Sequence, residues 1–582
     1  MPVFTTRPEI QGTFGVVTST HWIASAVGMS MLERGGNAFD ACAATAFVLQ
    51  VVEPHLNGPL GEVPAIFHSA RTGRVEVLCG QGVAPAAASI EAFKSRGLDL
   101  VPGSGLLATV VPGAFDAWML LLREHGELPL RTVLEPAIHY ARHGHPMLPR
   151  VANEIAAQGE FFRTEWPSSA ATWLPGGNAP KARALFRNPV LADTYDRVLR
   201  EAEAAGGDRI RQIEAARAAF MKGFVAEAID QFCRTTEVMD ASGRRHGGLL
   251  TADDMARWHA SFEAPQTDDY HGWTVAKTRP WGQGPAFLQS LSLLKGWDIG
   301  ALDPKGADFI HLVVEAMKLA FADREAYYGD PDFVDVPLDA LLSDANAADR
   351  RALIGDTASR ELRPTILPGR EAQVDRMLAL LGMARAGGGP GVGEPTMAHL
   401  NTARRGDTVH VDVIDRHGNM ISATPSGGWM QSSPVIPALG FPLNTRAQMF
   451  WLEPDLPASL APGKRPRTTL TPSLALQDGV PRLVFGTPGG DQQDQWQLAL
   501  FLRRVHHGLN LQEAIDLPLF HTQHFPSSFY PRGSRPGHLM VEETVGEATL
   551  AELRRRGHDL EVAGAWTVGR LTAAEKDPDG IL

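Results

Sequence analysis

The residues whose types and spacing carry most chemistry are Gly406-Asp407-Thr408, at the head of the run Val409-His410-Val411-Asp412-Val413-Ile414-Asp415. A cut between Asp407 and Thr408 leaves Thr408 with a free α-amine beside its own hydroxyl. Such an amine has a pKa of roughly 7.7–8.0, so part of it is neutral near pH 7 and can accept the hydroxyl proton. A hydroxyl with a base built into the same residue is equipped to attack an acyl carbon. The second stretch is Thr487-Pro488-Gly489-Gly490-Asp491. A strand passing through Gly-Gly into a helix start can aim successive backbone N–H groups at one point, a nest for an anion. Each stretch alone has a plainer use. A solvated Thr can open an ordinary hairpin, and Gly-Gly can be a tight turn with no site.

The surrounding pattern says how these residues are positioned. Val409, Val411 and Val413 alternate with Thr408, His410 and Asp412, which predicts a half-buried strand. Arg416-His417-Gly418-Asn419 reads as its turn and Met420 to Thr424 as the returning strand. Upstream, Gly382 to Pro395 is Gly-rich enough to predict an unstructured tether. A tether ending in Gly-Asp-Thr at the start of a strand suits a precursor that cuts itself ahead of Thr408. A second hairpin, Ser473 to Gln477 and Arg482 to Gly486 about an Asp478-Gly479 turn, delivers the Gly-Gly stretch to a helix from about Gln492 to His507.

Earlier in the chain the pattern predicts a strand over Gly15 to Ser19 and a helix over Ala24 to Arg34, stopped at Gly35-Gly36. Asn37 caps a second apolar helix, Ala38 to Val52, and a hairpin follows over Ala65 to Ser69 and Arg74 to Cys79. From Glu91 to about Gly355 the periodicity is mainly helical, with an Ala-rich helix over Ile210 to Phe232 and a strand at Trp273 to Lys277.

Composition limits the partners. The chain has 582 residues, 44% hydrophobic and 21% charged, with a formal net charge of −12. That balance fits a soluble globular protein and disfavours nucleic acid or an anionic membrane as partner. Cys42, Cys79 and Cys233 are too few and too scattered for a disulfide framework or a zinc site. With no signal-peptide pattern and no long apolar run, the expected location is cytoplasmic. His521-x-x-His524, with His506-His507 upstream, has metal-ligand spacing, but Pro526 and Pro531 make it a loop of structural use. Asp323, Asp330 and Asp332 lack the spacing of a calcium loop. No cofactor or metal is implied.

Five signatures in order carry a resemblance. They are Gly35-Gly36-Asn37-Ala38-Phe39-Asp40-Ala41 with Val51-Val52-Glu53-Pro54; Ala320-Phe321-Ala322-Asp323-Arg324 with Gly329-Asp330-Pro331-Asp332-Phe333; Gly406-Asp407-Thr408; Pro462-Gly463-Lys464-Arg465-Pro466; and Pro488-Gly489-Gly490. Together they resemble the gamma-glutamyltransferase family of N-terminal-nucleophile hydrolases. The resemblance implies an α/β fold, a four-layer αββα sandwich of two stacked sheets between helical layers. It implies two segments of one autocleaved precursor: residues 1–407, with the tether at about 382–400, and residues 408–582. Cleavage then lies between Asp407 and Thr408, with Thr408 the nucleophile and Ser426 a supporting hydroxyl. Gly489 and Gly490 match the oxyanion donors, and Thr468 and Thr469 match a Ser-Ser pair that contacts the substrate carboxylate.

Departures from the family pattern bear on the substrate. Gln81 stands where the resemblance implies an Arg for the glutamate α-carboxylate, Met449 where it implies an acid for the α-amine, and Gly428 where it implies an Asn. Arg446 stands where an uncharged or acidic residue is implied, and it reads either as a relocated pocket cation or as one half of a structural ion pair. A cation without a matching anion favours an acyl group that carries a carboxylate but no α-amine. This resembles the branch of oxamate amidohydrolases and glutaryl-type cephalosporin acylases. The expected protein is an amidohydrolase acting on a small carboxylate-bearing amide, as a heterodimer of its two fragments or a higher oligomer built from it. Two alternatives stand beside it: a true gamma-glutamyltransferase with a rebuilt pocket, and a homologue that never matures and acts as a binding or scaffold protein.

Overall fold

The computed structural model describes residues 4–384 and 408–582. Its N-terminal part gives β1 (Gly15–Ser19), α1 (Trp22–Glu33), α2 (Ala38–Val52) and the hairpin β2 (Val63–Ser69) and β3 (Arg74–Gly80). After a long helical stretch come β4 (Ser261–Glu263), β5 (Gln266–Tyr270), β6 (Trp273–Lys277), α3 (Gly284–Leu294) and α4 (Ala307–Tyr327). The C-terminal part gives β7 (Val411–Asp415), β8 (Met420–Ala423), β9 (Ser473–Gln477), β10 (Val480–Gly486), α5 (Gln493–His507) and β11 (Thr572–Glu575).

The two larger sheets are antiparallel, in the orders β1-β7-β8-β2-β3-β4 and β11-β10-β9-β6-β5. Each mixes strands from before and after residues 385–407. Ile66, Val77, Ala276, Ile414, Met420, Leu474 and Val484 meet between the sheets. α1 and α2 pack on the outer side of the first sheet, and α3 and α5 on that of the second. Local signals explain the first layer. The Asn37 side chain accepts from the Phe39 and Asp40 N–H groups, and Asp40 accepts from the Asn37 N–H at 3.1 Å. This capping box starts a helix whose fifteen residues are all buried.

Three expectations need correction. The strand behind Thr408 is not half-buried: every residue of β7 is buried, because a second sheet covers the side the alternation assigned to solvent. Its polar residues are satisfied there. His410 bonds Thr424 Oγ1 at 2.9 Å and Asp412 Oδ1 at 2.9 Å, and Thr572 donates to Asp412 Oδ2 at 2.7 Å. The Ala-rich helix is two helices, Arg209–Met221 and Phe224–Thr235. They part at Lys222-Gly223, where Gly has low helix propensity and a Cβ would lie 2.9 Å from Ala219 O. The tether's first residues are helical, since Glu371–Ala384 runs through Gly382. Buried Val374, Met377 and Leu381 hold that helix down at helical spacing, so one glycine is tolerated. The rest of the tether, with Asp407, lies outside the described residues.

A buried ion pair fastens α5 to the second sheet. Lys277 Nζ lies 2.8 Å from Asp494 Oδ1, and both side chains are buried. Thr471 donates to the same oxygen at 2.9 Å, and Lys277 donates to Ser473 Oγ at 2.7 Å. Lys277→Ala strands a carboxylate in the core, which costs about 3–5 kcal/mol. A chemical-denaturation midpoint should fall accordingly, and an unchanged midpoint would show that Asp494 is neutral or hydrated.

Candidate active site

Thr408 is fully buried where the central hairpin meets the Gly-Gly turn. It pairs with Ser426 as an isolated antiparallel bridge, and Ser426 pairs in turn with Glu62. Thr408 Oγ1 lies 3.0 Å from Ser426 Oγ and donates to Gly489 O at 3.2 Å. The two ends of the central hairpin and the Gly-Gly turn thus converge on one hydroxyl.

The Gly-Gly turn combines a backbone angle that favours glycine with N–H groups that have no acceptor among the described residues. Gly489 has φ +125°, which side chains disfavour, and its carbonyl also accepts from Gln493 Nε2. Among the described residues neither the Gly489 nor the Gly490 N–H has a hydrogen-bond acceptor. A Cβ on Gly490 would sit 2.7 Å from Phe529 Cε2. Just beyond the turn, the Asp491 carboxylate accepts from Arg324 Nη1 and from the Ser528 N–H and hydroxyl at 2.9 and 2.6 Å. Burial pushes the Asp491 carboxyl up, but Arg324 and Ser528 outweigh it and hold it below the ordinary range.

The acidic signatures act as scaffold around this turn. Arg324 also donates to Gln283 Oε1 at 2.8 Å, and Glu325 pairs with Arg467 at 2.8 Å, directly before Thr468-Thr469. Asp330 accepts from Arg465 Nη2 at 2.6 Å and from its backbone N–H at 2.8 Å. Thr468 Oγ1 accepts from the Leu470 N–H at 3.3 Å, whereas the buried Thr469 Oγ1 has no hydrogen-bond partner among the described residues. Gln81 is buried, with Nε2 donating to Gly82 O at 3.2 Å and Oε1 unpartnered among the described residues. No hydrogen bond joins Gln81, Thr468 or Thr469 to Thr408 among the described residues.

Met449 packs with Trp429 and Phe529 in a small apolar cluster. The Arg446 guanidinium lies 4.8 Å from the Trp429 ring centre and 5.9 Å from that of Phe529. Arg446 Nε is ion-paired with Glu62 Oε1, and both side chains are fully buried. This corrects the expectation of a cation without an anion. Glu62 is fixed by its backbone: its N–H donates to Ser426 O at 2.9 Å, and its carbonyl accepts from the Ser426 N–H at 3.0 Å. Its carboxylate lies against Gly427, where a Cβ would be 2.4 Å from Oε1. Burial pushes Glu62 up to about 7, with Arg446 pulling the other way. The sequence reading missed this residue; a lone carboxylate right after Asn57-Gly58-Pro59-Leu60-Gly61 was the available signal.

The histidine motif is structural in its geometry. His524 Nε2 bonds Glu361 O and its Nδ1 accepts from the Gly537 N–H, each at 3.0 Å. Elsewhere, ligand-type atoms of His311, Glu315 and His558 lie within 4.8 Å of one another. The Glu315 carboxylate there is already neutralised by Lys318 at 2.6 Å and Arg363 at 3.2 Å, so a cation would meet an ammonium.

The family profile described as Gamma-glutamyltranspeptidase matches residues 24–582. The chain belongs to this family. It is a gamma-glutamyltranspeptidase-family N-terminal-nucleophile hydrolase with a mixed α/β fold. The solved structure of LmbA2991HD is 54% identical, covering 99% of this chain and 97% of that one, with a TM-score of 0.91. A cephalosporin acylase from Bacillus halodurans is 29% identical, covering 100% and 95%, with a TM-score of 0.81. The glutathione hydrolase-like YwrD proenzyme of Bacillus subtilis is 29% identical over 99% of this chain and 97% of its own length. Among the described residues, no helix of this gamma-glutamyltranspeptidase homologue is long and apolar enough to cross a membrane.

Proposed function

We propose that this chain is an amidohydrolase that cuts itself at Asp407–Thr408 and then hydrolyses a small amide through an acyl-enzyme on Thr408. The observation that carries the reading is the Thr408 hydroxyl, 3.0 Å from Ser426 Oγ and hydrogen-bonded to the Gly489 carbonyl. In maturation the hydroxyl attacks the Asp407 carbonyl, the C–N bond breaks with the Thr408 amine taking up the proton, and water then opens the resulting ester to free the Thr408 hydroxyl and the Asp407 carboxylate. Residues 1–407 and 408–582 then remain folded together as the two segments of a four-layer sandwich. In turnover that amine takes the hydroxyl proton as Oγ1 attacks the substrate carbonyl, with Ser426 orienting both. The N–H groups of Gly489 and Gly490 receive the oxyanion, the leaving amine takes up the proton, and water releases the acid.

For the substrate, Gln81 and Met449 carry no charge where a γ-glutamyl head group would need two ionic partners. Each lost charge-assisted contact costs about 1.5–3 kcal/mol. Thr468 and Thr469 are the proposed hydroxyl contacts for an acyl carboxylate, and Arg446 its cation. The relatives do not choose, since an acylase and a glutathione hydrolase-like protein stand at the same 29% identity.

The test is kcat/KM for glutaryl and oxamate-type amides against a γ-glutamyl amide. The acidic acyl groups should lead, and Arg446→Ala should erode that lead by about 2–3 kcal/mol. Because Arg446→Ala strands Glu62, Arg446→Ala/Glu62→Gln is the cleaner comparison. Efficient γ-glutamyl turnover, indifferent to both variants, would establish a transferase with a rebuilt pocket.

A further inference from the structure

We propose that Arg532 is a specificity-determining residue that binds the acyl carboxylate of the substrate through its Nη1 group. The inference rests on the anionic-acyl reading above and adds to Arg446 a second cation, one with no ion pair among the described residues. Arg532 is 3% exposed, and its Nη1 is buried without a hydrogen-bond partner among the described residues. Its Nη2 donates to the carbonyls of Gln448 and Phe450 at 3.1 and 3.0 Å, and the guanidinium lies 4.0 Å from the Trp451 ring centre. The head is thus fixed at the 310 turn Arg446–Met449, with one edge bonded and one edge left over.

The charge balance points the same way. The charged groups that act most on Arg532 are Arg467, Glu325, Asp491 and Arg324. Glu325 pairs with Arg324 at 2.7 Å and with Arg467 at 2.8 Å, and Asp491 pairs with Arg324. Three buried guanidiniums therefore face two buried carboxylates, leaving one positive charge over. Burial pushes Arg532 down to about 9, with Arg467 adding to the push, so it stays charged at neutral pH. A desolvated cation with free donors is matched by one carboxylate, which supplies a negative charge and two acceptors.

The backbone around it is strained. Arg532 has φ +64°, in the left-handed region that side chains rarely adopt, and its N–H donates to Phe529 O at 2.7 Å. Its loop neighbours Ser527, Phe529 and Gly533, with Asp491 and Gln492 just past the Gly-Gly turn, line a cavity of about 320 Å³ including its open mouth. Arg467 leads straight into Thr468-Thr469, so the surplus charge belongs to the cluster that anchors the proposed hydroxyl contacts.

The test is kcat/KM of the mature protein for glutaryl p-nitroanilide against uncharged pentanoyl p-nitroanilide. Arg532→Gln should lower the glutaryl-to-pentanoyl ratio about thirty- to a hundredfold, and Arg532→Lys, which keeps the charge, should recover part of it. An unchanged ratio in Arg532→Gln overturns the role of Arg532 and leaves the anionic-acyl reading standing. Equal losses on both substrates also overturn it, reducing the residue to a support of its loop. A wild type that prefers the pentanoyl amide overturns both. If Arg532→Gln does not fold, Arg532→Lys carries the test. Glutarate should raise the melting midpoint of the wild type and raise that of Arg532→Lys less, with uncharged glutaramide inert in both. Equal shifts in the two proteins, or none in the wild type, overturn the proposal.

Discussion

Thr408→Ala should leave the protein as one 582-residue chain, while the wild type separates under denaturing conditions into residues 1–407 and 408–582 with Thr408 as a new N-terminus. In the proposed reaction the hydroxyl makes the first bond of the cut, so its loss should stop maturation, and the same loss should remove the nucleophile of turnover. Amidase activity should therefore fall to background, a loss on the order of a thousandfold or more. Thr408→Ser keeps a hydroxyl and should still cut. A wild-type sample that stays full length through purification and incubation would instead favour the binding or scaffold alternative.

Gly490→Val is expected to lower kcat about a hundred- to a thousandfold, the range for loss of one oxyanion donor, about 3–4 kcal/mol. The reason is steric. A Cβ at residue 490 would stand 2.7 Å from the Phe529 ring, so ring or turn must move, and the N–H groups lose their aim. The damage is local, because Asp491 behind the turn is held by Arg324 and Ser528 independently of the glycines. Circular dichroism and the melting midpoint should stay near wild type. Near-normal kcat in this variant would reduce Gly489-Gly490 to a turn.

What could be read from the chain was whatever neighbours in sequence decide. The capped helix Ala38–Val52, the central hairpin about Gly418 and the second hairpin about Asp478-Gly479 all stand where their local signals put them. The hidden part depends on separation. Arg446 and Glu62 are 384 positions apart, so no local pattern could show that the cation had an anion. Likewise the alternation of Val409, Val411 and Val413 reported one apolar face correctly. It could not report that a second sheet would bury His410 and Asp412 on the other. The Asp323-Arg324 signature was legible as a segment without calcium-loop spacing, but what it supports, the residue after the Gly-Gly turn, emerged only in three dimensions.

The strand order β1-β7-β8-β2 has a kinetic consequence. β7 and β8 come from beyond residue 407, yet they lie inside the first sheet, flanked by strands from before residue 385. Neither part could slide away without breaking three ladders of backbone hydrogen bonds at once, β1–β7 and β8–β2 in the first sheet and β6–β9 in the second, and baring the apolar layer beneath. A cut at residue 407 therefore leaves a knit fabric rather than two subunits meeting at a face. Dilution should not part the fragments, and separately made fragments should not find each other unless they fold together. On the proposed cut, the peptide link is needed only to bring distant strands into one sheet and becomes dispensable afterwards. Exchange of isotopically labelled small segments between mature molecules should proceed no faster than global unfolding.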